Sequence, residues 1–332
     1  MEFEREYRER CAKRALDEAA TDAALRTVEV FAATLGEAGS SLAAASLAEL
    51  ERALAVRVAG GWGAAELVAV ARWYMVAGLD AISIRLLAYL LPIGVLPDHA
   101  KRLETLHGAE VQRRVMELVR IPPEGAPPEA YPAATAAFVK ALEAELGPEK
   151  ARRVLAWNVH GIPAGAHAEE RERFLTAPSI AAWLAGWHER QVAELQRFAD
   201  SGELWYEQRI TQDVVDWVRE NPEIQGGVVE GNRIFRQKIP YDPDRFLRST
   251  DPLERRRLAC HCPLAAASIT ETEAEVPAAW CACSSGYDKF PFDVVFGVET
   301  EVEVLESVLA GDGRCRFAIT IPESVLALKP AV

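Results

Sequence analysis

The chain has 332 residues, half of them hydrophobic, and a formal net charge of -13 at pH 7. This length and apolar content are enough for a large core, and we expect more than one domain. Binding to nucleic acid or to anionic membrane depends on clustered Lys and Arg, so the acidic balance argues against both kinds of partner.

The N-terminal part, residues 1–120, is predicted to be an all-helical domain. Residues 2–35 are rich in Ala, Leu, Glu and Arg, and Gly36 is the expected end of this helical run. A recurrence every four residues indicates one buried helix face, on which Cys11 is a small core side chain; its members are Phe3, Tyr7 and Cys11.

More helices are expected along the rest of this domain. The stretch Ser46-Leu47-Ala48-Glu49 has the form of a capping box, which marks a helix start. Further helices are expected within 63–91 and 98–119. We also expect the helical domain to support a homodimer or to contact another partner.

Neither export nor membrane insertion is expected. The first residues, MEFEREYRERCAKR, form a run of charges rather than a basic region followed by an apolar one. The most apolar segment, 60–97, is interrupted by charged side chains, which favour a pair of buried helices over a membrane span; these are Glu66, Arg72, Asp80 and Arg85. A cytoplasmic location is therefore predicted.

A proline-rich segment, residues 121–132, is predicted to link two domains. Its sequence, IPPEGAPPEAYP, contains five prolines, which cannot continue a helix and favour an extended conformation. We expect the second domain to span 133–332 and to contain helices followed by an antiparallel sheet, so the predicted fold class is α+β.

The predicted secondary structure of the second domain changes from helices to strands about halfway along it. A helix over 133–146 is expected to end at Gly147, with another starting at Pro148 and more helices around 178–200 and 211–220. Alternation around Glu230-Gly231-Asn232 then indicates a β-hairpin. After Cys283, we expect a short helix over SSGYDKFPFDVVFG and two strands joined by Ala310-Gly311-Asp312-Gly313.

Five of the six cysteines lie close together in the sequence and predict a thiolate-rich site. Cys260 and Cys262 form one C-x-C pair, Cys281 and Cys283 form a second, and Cys315 is a distant fifth sulfur. In extended segments each pair would present both sulfurs on one face. Four thiolates suit tetrahedral zinc at about 2.3 Å, with an iron–sulfur centre as the less favoured occupant.

Other interpretations of these cysteines stay open. They can be core side chains, disulfides, or a reactive thiol without a metal. The same alternation turns His261 away from its flanking sulfurs, so it is a poor ligand, but it can face a pocket on the other side.

The last part of the chain also carries a family resemblance. The residues concerned are Cys283, Gly286-Tyr287, Gly297, Val302 to Ser307, Gly311-Asp312 and Cys315-Arg316-Phe317. They resemble the end of the 4-vinyl reductase domain and of the related L-2-amino-thiazoline-4-carboxylic acid hydrolase-like proteins. The run Leu146 to Ala151 is similar to the start of the hydrolase-like group.

This resemblance implies an α/β module that encloses a small organic molecule. Some relatives are aromatic-sensing domains that hold zinc with C-terminal cysteines, and Cys283 and Cys315 match ligand positions of that kind. Ser307 stands where those sensors often have a third cysteine, eight residues before the last. The pair Cys260 and Cys262 would compensate for this departure.

Aromatic and histidine residues supply further candidates. Trp183 and Trp187 are one helical turn apart, which is typical of a core but also fits an aromatic-lined ligand pocket. His188 beside Trp187 can contribute an acid or base, while His160 and His167 fit loop or surface positions better than a metal site. We include Trp187, His188, Trp280 and Tyr287 as candidate substrate-binding residues.

Two functions follow as hypotheses. The first is a hydrolase or lyase that acts on a C–N or C–S bond of a small molecule, with His261 and Cys283 as catalytic candidates and zinc held by four of the five sulfurs of Cys260, Cys262, Cys281, Cys283 and Cys315. The second is a non-catalytic, small-molecule-binding sensor with structural zinc. No P-loop, G-x-G-x-x-G or G-x-S-x-G motif occurs, which disfavours nucleotide-dependent and serine-hydrolase chemistry.

Overall fold

A computed structural model describes residues 3–270 and 275–332 and has the expected α+β composition. Contacts between Cα atoms divide the chain into two compact units. The first unit contains Met1–Gly94 and Ile121–Tyr131, and the second contains Val95–Arg120 and Pro132–Val332.

The first unit is built from five helices in its described part: α1 Glu4–Lys13, α2 Glu18–Glu37, α3 Leu47–Ala59, α4 Ala64–Val76 and α5 Asp80–Leu90. Tyr7 and Cys11 are fully buried in its core, as the four-residue spacing predicted. The capping box is confirmed, since the Ser46 amide donates to Glu49 Oε2 at 2.8 Å and Ser46 Oγ accepts from the Glu49 amide. Gly36 as a helix end is wrong, because α2 continues to Glu37.

One apolar stretch, Asp80–His107, is long and apolar enough to cross a membrane by length and composition alone. Only 39% of its most apolar window is buried, but a core helix passes the same test. The stretch is interrupted at Gly94, where φ is 82°, and Leu86 and Tyr89 belong to the core of the first unit. The features of α5 are therefore those of a core helix.

The division of the chain differs from the border expected at the prolines. Residues 95–120 group with the second unit, and the proline-rich segment groups with the first. The physical reason is packing: a Cβ on Gly125 would lie 2.9 Å from Val58 Cγ2, and Glu129 forms an ion pair with Arg85 at 2.9 Å. The prolines prevent a long helix, but their segment is packed rather than free.

The helices of the second unit follow in chain order. They are α6 Val95–His107, α7 Ala109–Met116, α8 Pro132–Leu146, α9 Pro148–Leu155, α10 Ala168–Thr176, α11 Ile180–Ser201, α12 Gln212–Glu220, α13 Pro243–Arg248, α14 Pro252–Ala259, α15 Cys281–Phe296 and α16 Glu323–Leu328. Short 3-10 turns occupy Pro128–Ala130 in the first unit and Ala164–His167, Ala266–Ser268 and Ala278–Trp280 in the second.

The described part of the second unit also contains two antiparallel sheets. A two-residue pair joins β1 Leu204–Trp205 to β2 Gln208–Arg209. The larger sheet has the order β3-β4-β6-β5. Its strands are β3 Val228–Glu230, β4 Arg233–Gln237, β5 Glu301–Glu306 and β6 Arg316–Thr320. The predicted hairpin at Gly231-Asn232 and the two predicted C-terminal strands are confirmed.

Helix α15 has a different extent from the predicted one and is the element that positions the site. It begins at Cys281, ahead of the start expected after Cys283. A Cβ on Gly286 would lie 2.2 Å from the Trp157 amide nitrogen. Glycine at this position therefore lets α15 pack directly on the backbone that follows α9.

Candidate functional site

Five thiols gather where three segments of the second unit meet. Cys260 and Cys262 follow the end of α14. Cys281 and Cys283 lie in the first turn of α15, and Cys315 directly precedes β6. All five are free and either buried or partly buried. Cys260 interacts electrostatically with Cys262, Cys281 and Cys315, and Cys283 interacts with Cys262. We call this set the thiol cluster.

The two C-x-C pairs have different local geometry. Cys260 has extended backbone angles, as expected, but the expectation of an extended second pair is wrong, because Cys281 and Cys283 belong to a helix. Residues two apart on a helix do not face each other, so these two sulfurs point to different sides. Cys281 Sγ contacts Ser307 Oγ at 2.9 Å, and Cys262 Sγ accepts a hydrogen bond from Trp280 Nε1 at 3.2 Å.

Lys238 is the cation of this region and was not found from the sequence. Its ammonium donates to Ser284 Oγ at 2.7 Å and lies 5.3 Å from the centre of the Tyr287 ring. Its charge acts on the thiols of Cys281 and Cys283. Over residues 3–270 and 275–332, no carboxylate forms an ion pair with it. Within the described residues, the thiol cluster therefore lies beside a positive charge that has no paired anion.

Burial dominates the acidity of the thiols. It raises the pKa of each of the five cysteines, because a thiolate loses hydration in the interior. The Lys238 charge lowers the pKa of Cys283 but only partly offsets burial. At neutral pH the thiols are protonated in this arrangement.

His261 lies beside the cluster on a different set of contacts. Its Nε2 is 2.6 Å from the Ile239 carbonyl oxygen, and its ring packs edge-on against Tyr241. Burial, with a smaller contribution from Lys238, lowers the pKa of His261 to about 3. The imidazole is therefore neutral at pH 7 and donates Nε2–H to the carbonyl, which leaves Nδ1 as the basic nitrogen.

Among the described residues, the thiols are not arranged as an assembled metal site. In the part of the chain that the structure describes, no group of three or more His, Cys, Asp or Glu side chains is arranged to hold a metal ion. Cys281 contacts Ser307, and the helix directs Cys281 and Cys283 to different sides. Zinc or an iron–sulfur centre on these sulfurs stays a prediction, and it requires side chains to rearrange.

The four candidate substrate-binding residues lie in different surroundings. Trp280 is 1% exposed and packs on His99 and Phe138, while Trp187 packs on Trp183 and Phe292 in the same unit. His188 Nε2 lies 2.9 Å from the Val218 carbonyl oxygen. Tyr287 is 41% exposed and contacts His160 edge-on, so it is the candidate that reaches the surface beside Lys238.

A buried ion pair lies next to Lys238 and Ser284, on the side away from the thiol cluster. Arg236 and Asp288 are 6% and 8% exposed, and Arg236 Nη1 lies 3.6 Å from Asp288 Oδ1. Arg236 and Lys238 are two apart at the end of β4 and share one face, while Ser284 and Asp288 are four apart on α15. The spacing of Arg236 and Lys238, two residues apart in a predicted strand, is the sequence feature that could have indicated that both side chains lie on one face of the sheet. We call this region the β4–α15 seam.

The cavities of the second unit include two of several hundred Å³. The larger, of about 720 Å³, is lined by parts of α9 and β5 and by Ala282 and Ser307, so it borders the residue that contacts Cys281. The smaller, of about 340 Å³, is lined by Trp157, Lys289 and Asp293. The larger cavity is the one next to the thiol cluster.

Comparison with known proteins gives one family match. A family described as "family of unknown function (DUF6144)" matches residues 252–326, less than a quarter of the chain. Neither the curated proteins nor the solved structures give a match. The matched stretch contains all five cysteines of the thiol cluster. The family therefore coincides with the candidate site, and its description assigns no activity.

Proposed function

We propose that the second unit is a cytoplasmic enzyme module that cleaves a C–N or C–S bond of a small organic molecule, by hydrolysis or lysis. One observation carries the proposal: the ammonium of Lys238, without a carboxylate partner in the described chain, lies beside the half-exposed Tyr287 and acts electrostatically on the thiols of Cys281 and Cys283. A neighbouring ammonium can stabilise a thiolate, which is the reactive form of cysteine.

The roles of the individual residues follow from their chemistry. Cys283 is the proposed nucleophile, and Lys238 would stabilise its thiolate against the effect of burial. His261 is neutral at pH 7 and is the proposed proton acceptor. Tyr287 is the proposed contact for substrate at the surface, and the cavity next to Ser307 offers a second approach.

Zinc is part of this proposal because of the donor set. Cys260, Cys262, Cys281, Cys283 and Cys315 supply more soft ligands than the four that zinc takes, and zinc displaces thiol protons when it binds. The zinc would stabilise the fold around the cluster, as the all-sulfur donor set favours a structural over a catalytic role.

The metal content of purified protein tests whether the cluster cysteines bind zinc. Full-length protein expressed with added zinc should contain about one zinc per chain by plasma mass spectrometry. Cys260→Ser and Cys262→Ser should each lose it, while Cys11→Ala, in the core of the first unit, should retain it. Wild-type protein that takes up no zinc would remove the metal from the proposal.

Turnover tests the enzyme. Small cyclic amides, thiazolines and thioethers would be incubated with the protein and followed by mass spectrometry. Lys238→Met and Cys283→Ser should abolish product formation, whereas Arg233→Gln, in an exposed ion pair on β4, should not. Full turnover by Cys283→Ser would exclude the assigned nucleophile.

A non-catalytic sensor is the second candidate, and a specific observation favours it. Burial raises the pKa of every cluster thiol, and two of the sulfurs already have hydrogen-bonding partners. Such thiols are poor nucleophiles. A ligand that co-purifies and is recovered unchanged after incubation would favour the sensor. The homodimer expected through the helical N-terminal part stays a prediction.

A further inference from the structure

The Arg236–Asp288 pair is buried but poorly satisfied. The Arg236 guanidinium lies between two aromatic rings, 5.4 Å from the centre of Trp187 and 5.3 Å from that of Phe292. Its contacts to Asp288 are long: Nη1 is 3.6 Å from Oδ1 and 3.4 Å from the backbone carbonyl oxygen. A bidentate arginine–carboxylate pair would be shorter and would use both carboxylate oxygens.

Three buried polar atoms in this place have no hydrogen-bonding partner within the described chain. They are Arg236 Nε, Asp288 Oδ2 and, on the loop at the end of 158–167, His167 Nε2. The charge of Arg236 contributes to the lowered pKa of His167, so these two side chains lie within electrostatic reach of each other. Buried polar atoms in native proteins are almost always paired, so the two unpaired atoms of the Arg236–Asp288 ion pair indicate a missing partner.

The chemistry of the three atoms defines that partner. Arg236 Nε–H needs an acceptor, and Asp288 Oδ2 needs a donor. The charges of the arginine and the aspartate already cancel, and burial lowers the pKa of His167, so that its imidazole is neutral at pH 7. Next to this neutral pair, an ionised group of a guest would have no net opposite charge to compensate it, which is strongly unfavourable in the interior.

We propose that Arg236 and Asp288 bind a neutral amide-type group of a ligand, an amide, lactam or imide, in which the carbonyl accepts from Arg236 Nε and the N–H donates to Asp288 Oδ2. The aromatic rings of Trp187 and Phe292 hold the guanidinium in place, and His167 supplies a third polar contact. This inference rests on the proposed function, for which it names the substrate class: a compound whose C–N bond belongs to an amide.

The position of the pair connects it to the thiol cluster. Asp288 follows Ser284 by one turn of α15, and Ser284 accepts the hydrogen bond of Lys238. Loop 158–167 packs on the same helix, with His160 against Tyr287 and His167 against Phe290. A ligand anchored by its amide at Arg236 would therefore lie along the β4–α15 seam toward Lys238.

The test uses four five-membered rings with the full-length protein and ligand-observed NMR. The probe is 2-pyrrolidone, a lactam; cyclopentanone only accepts, pyrrolidine is a cation, and cyclopentanecarboxylate is an anion. The lactam should bind at least about tenfold more tightly than each of the others, the factor typical of one missing hydrogen bond in a buried site. Equal binding of lactam and ketone would overturn the proposal.

Variants separate recognition from folding. Asp288→Asn should weaken lactam binding by about tenfold or more, and Arg233→Gln, whose exposed partner is Glu303, should leave it unchanged. If Asp288→Asn does not fold, His167→Leu serves instead, since His167 is only partly buried and should still contribute to binding. The proposal is contradicted if folded Asp288→Asn or His167→Leu binds the lactam with unchanged affinity, or if the wild type does not bind it at all. Either result would indicate that only water pairs with the buried atoms of Arg236 and Asp288.

The same experiment distinguishes this inference from the proposed function. Lys238→Met and Cys283→Ser should still bind the lactam. Lactam binding without turnover of any substrate would contradict the enzyme and support the amide site. Turnover of thioethers without lactam binding would support the enzyme and contradict the amide site.

Discussion

His99 stands behind the thiol cluster and is fully buried in the second unit. Its Nδ1 accepts a hydrogen bond from Trp157 Nε1 at 3.1 Å, and its ring lies 5.3 Å from that of Trp280. Trp280 in turn donates to Cys262 Sγ. A neutral imidazole is therefore part of the support of the site, because only the neutral form leaves Nδ1 able to accept.

This arrangement predicts a specific pH dependence of stability. Burial lowers the pKa of His99 to about 3, below the ordinary value of 6.5 in an unfolded chain. Between these values the unfolded state binds more protons, so the free energy of unfolding falls as the pH decreases through this window. One such group contributes a slope of up to about 1.4 kcal/mol per pH unit.

His99→Gln should remove this contribution while retaining an oxygen that can accept from Trp157. Urea unfolding at several pH values between the unfolded and folded pKa of His99 should give a shallower pH dependence for the variant than for the wild type. Equal slopes would mean that His99 is protonated in the folded protein or that its titration is not linked to unfolding.

The residues of the site differ in how far the sequence could predict them. The five cysteines stand out by their spacing, and the structure brings them into one region. The directions of Cys281 and Cys283 depend on whether their segment is a strand or a helix, which C-x-C spacing alone cannot decide. Arg236 and Asp288 are far apart in sequence, and their pairing arises only when β4 and α15 come together.

At the scale of the elements, the junction between α15 and β5 holds the helix against the sheet. Asp293 Oδ1 accepts from both the amide and the hydroxyl of Thr300, at 2.7 Å each, and Oδ2 pairs with Lys289 Nζ at 2.5 Å. Lys289 is 3% exposed, so its charge depends on this carboxylate. Asp293 therefore fixes the end of the helix whose first turn carries Cys281 and Cys283.

Asp293→Ala should destabilise the protein by about 3–5 kcal/mol, because it leaves a buried ammonium without its main partner. Glu299→Ala is the matched control: Glu299 also contacts Lys289, at 3.6 Å, but its side chain is 63% exposed. Its loss should be about 0–1 kcal/mol. Urea unfolding followed by tryptophan fluorescence measures both, and similar losses for the two variants would contradict this role of Asp293.

Local signals predicted elements well where the determinants are neighbours in sequence. Gly231-Asn232 between alternating segments fixes the hairpin of β3 and β4, and Ser46 with Glu49 fixes the start of α3. The start of α15 at Cys281 has no side-chain cap, so no capping residue marks it in the sequence. Its position is set by packing, including the approach of Gly286 to the backbone of Trp157.

At the scale of the whole molecule, the chain enters the second unit before the prolines and not after them. Composition indicated a border at 121–132, but α6 and α7 pack on the helices that follow the prolines. His99 on α6 contacts Trp157, and Arg114 on α7 forms an ion pair with Glu145 at 2.5 Å. Local composition does not reflect such contacts between distant segments. The alternation of the two units along the chain could therefore not be predicted from it.

The interleaved order predicts which segments unfold together. Leu54→Ala removes a fully buried side chain from the first unit, and Phe138→Ala removes one from the second; each should cost about 3–5 kcal/mol in its own core. In hydrogen exchange by mass spectrometry on the intact chain, Leu54→Ala should speed exchange in 4–90 and 121–131 and leave 95–120 protected. Phe138→Ala should speed exchange in 95–120 together with α8 and α15. If exchange in 95–120 instead increased in Leu54→Ala, that segment would belong energetically to the first unit. His99 and its contact with Trp280 could then not be part of the same cooperative structure as the thiol cluster.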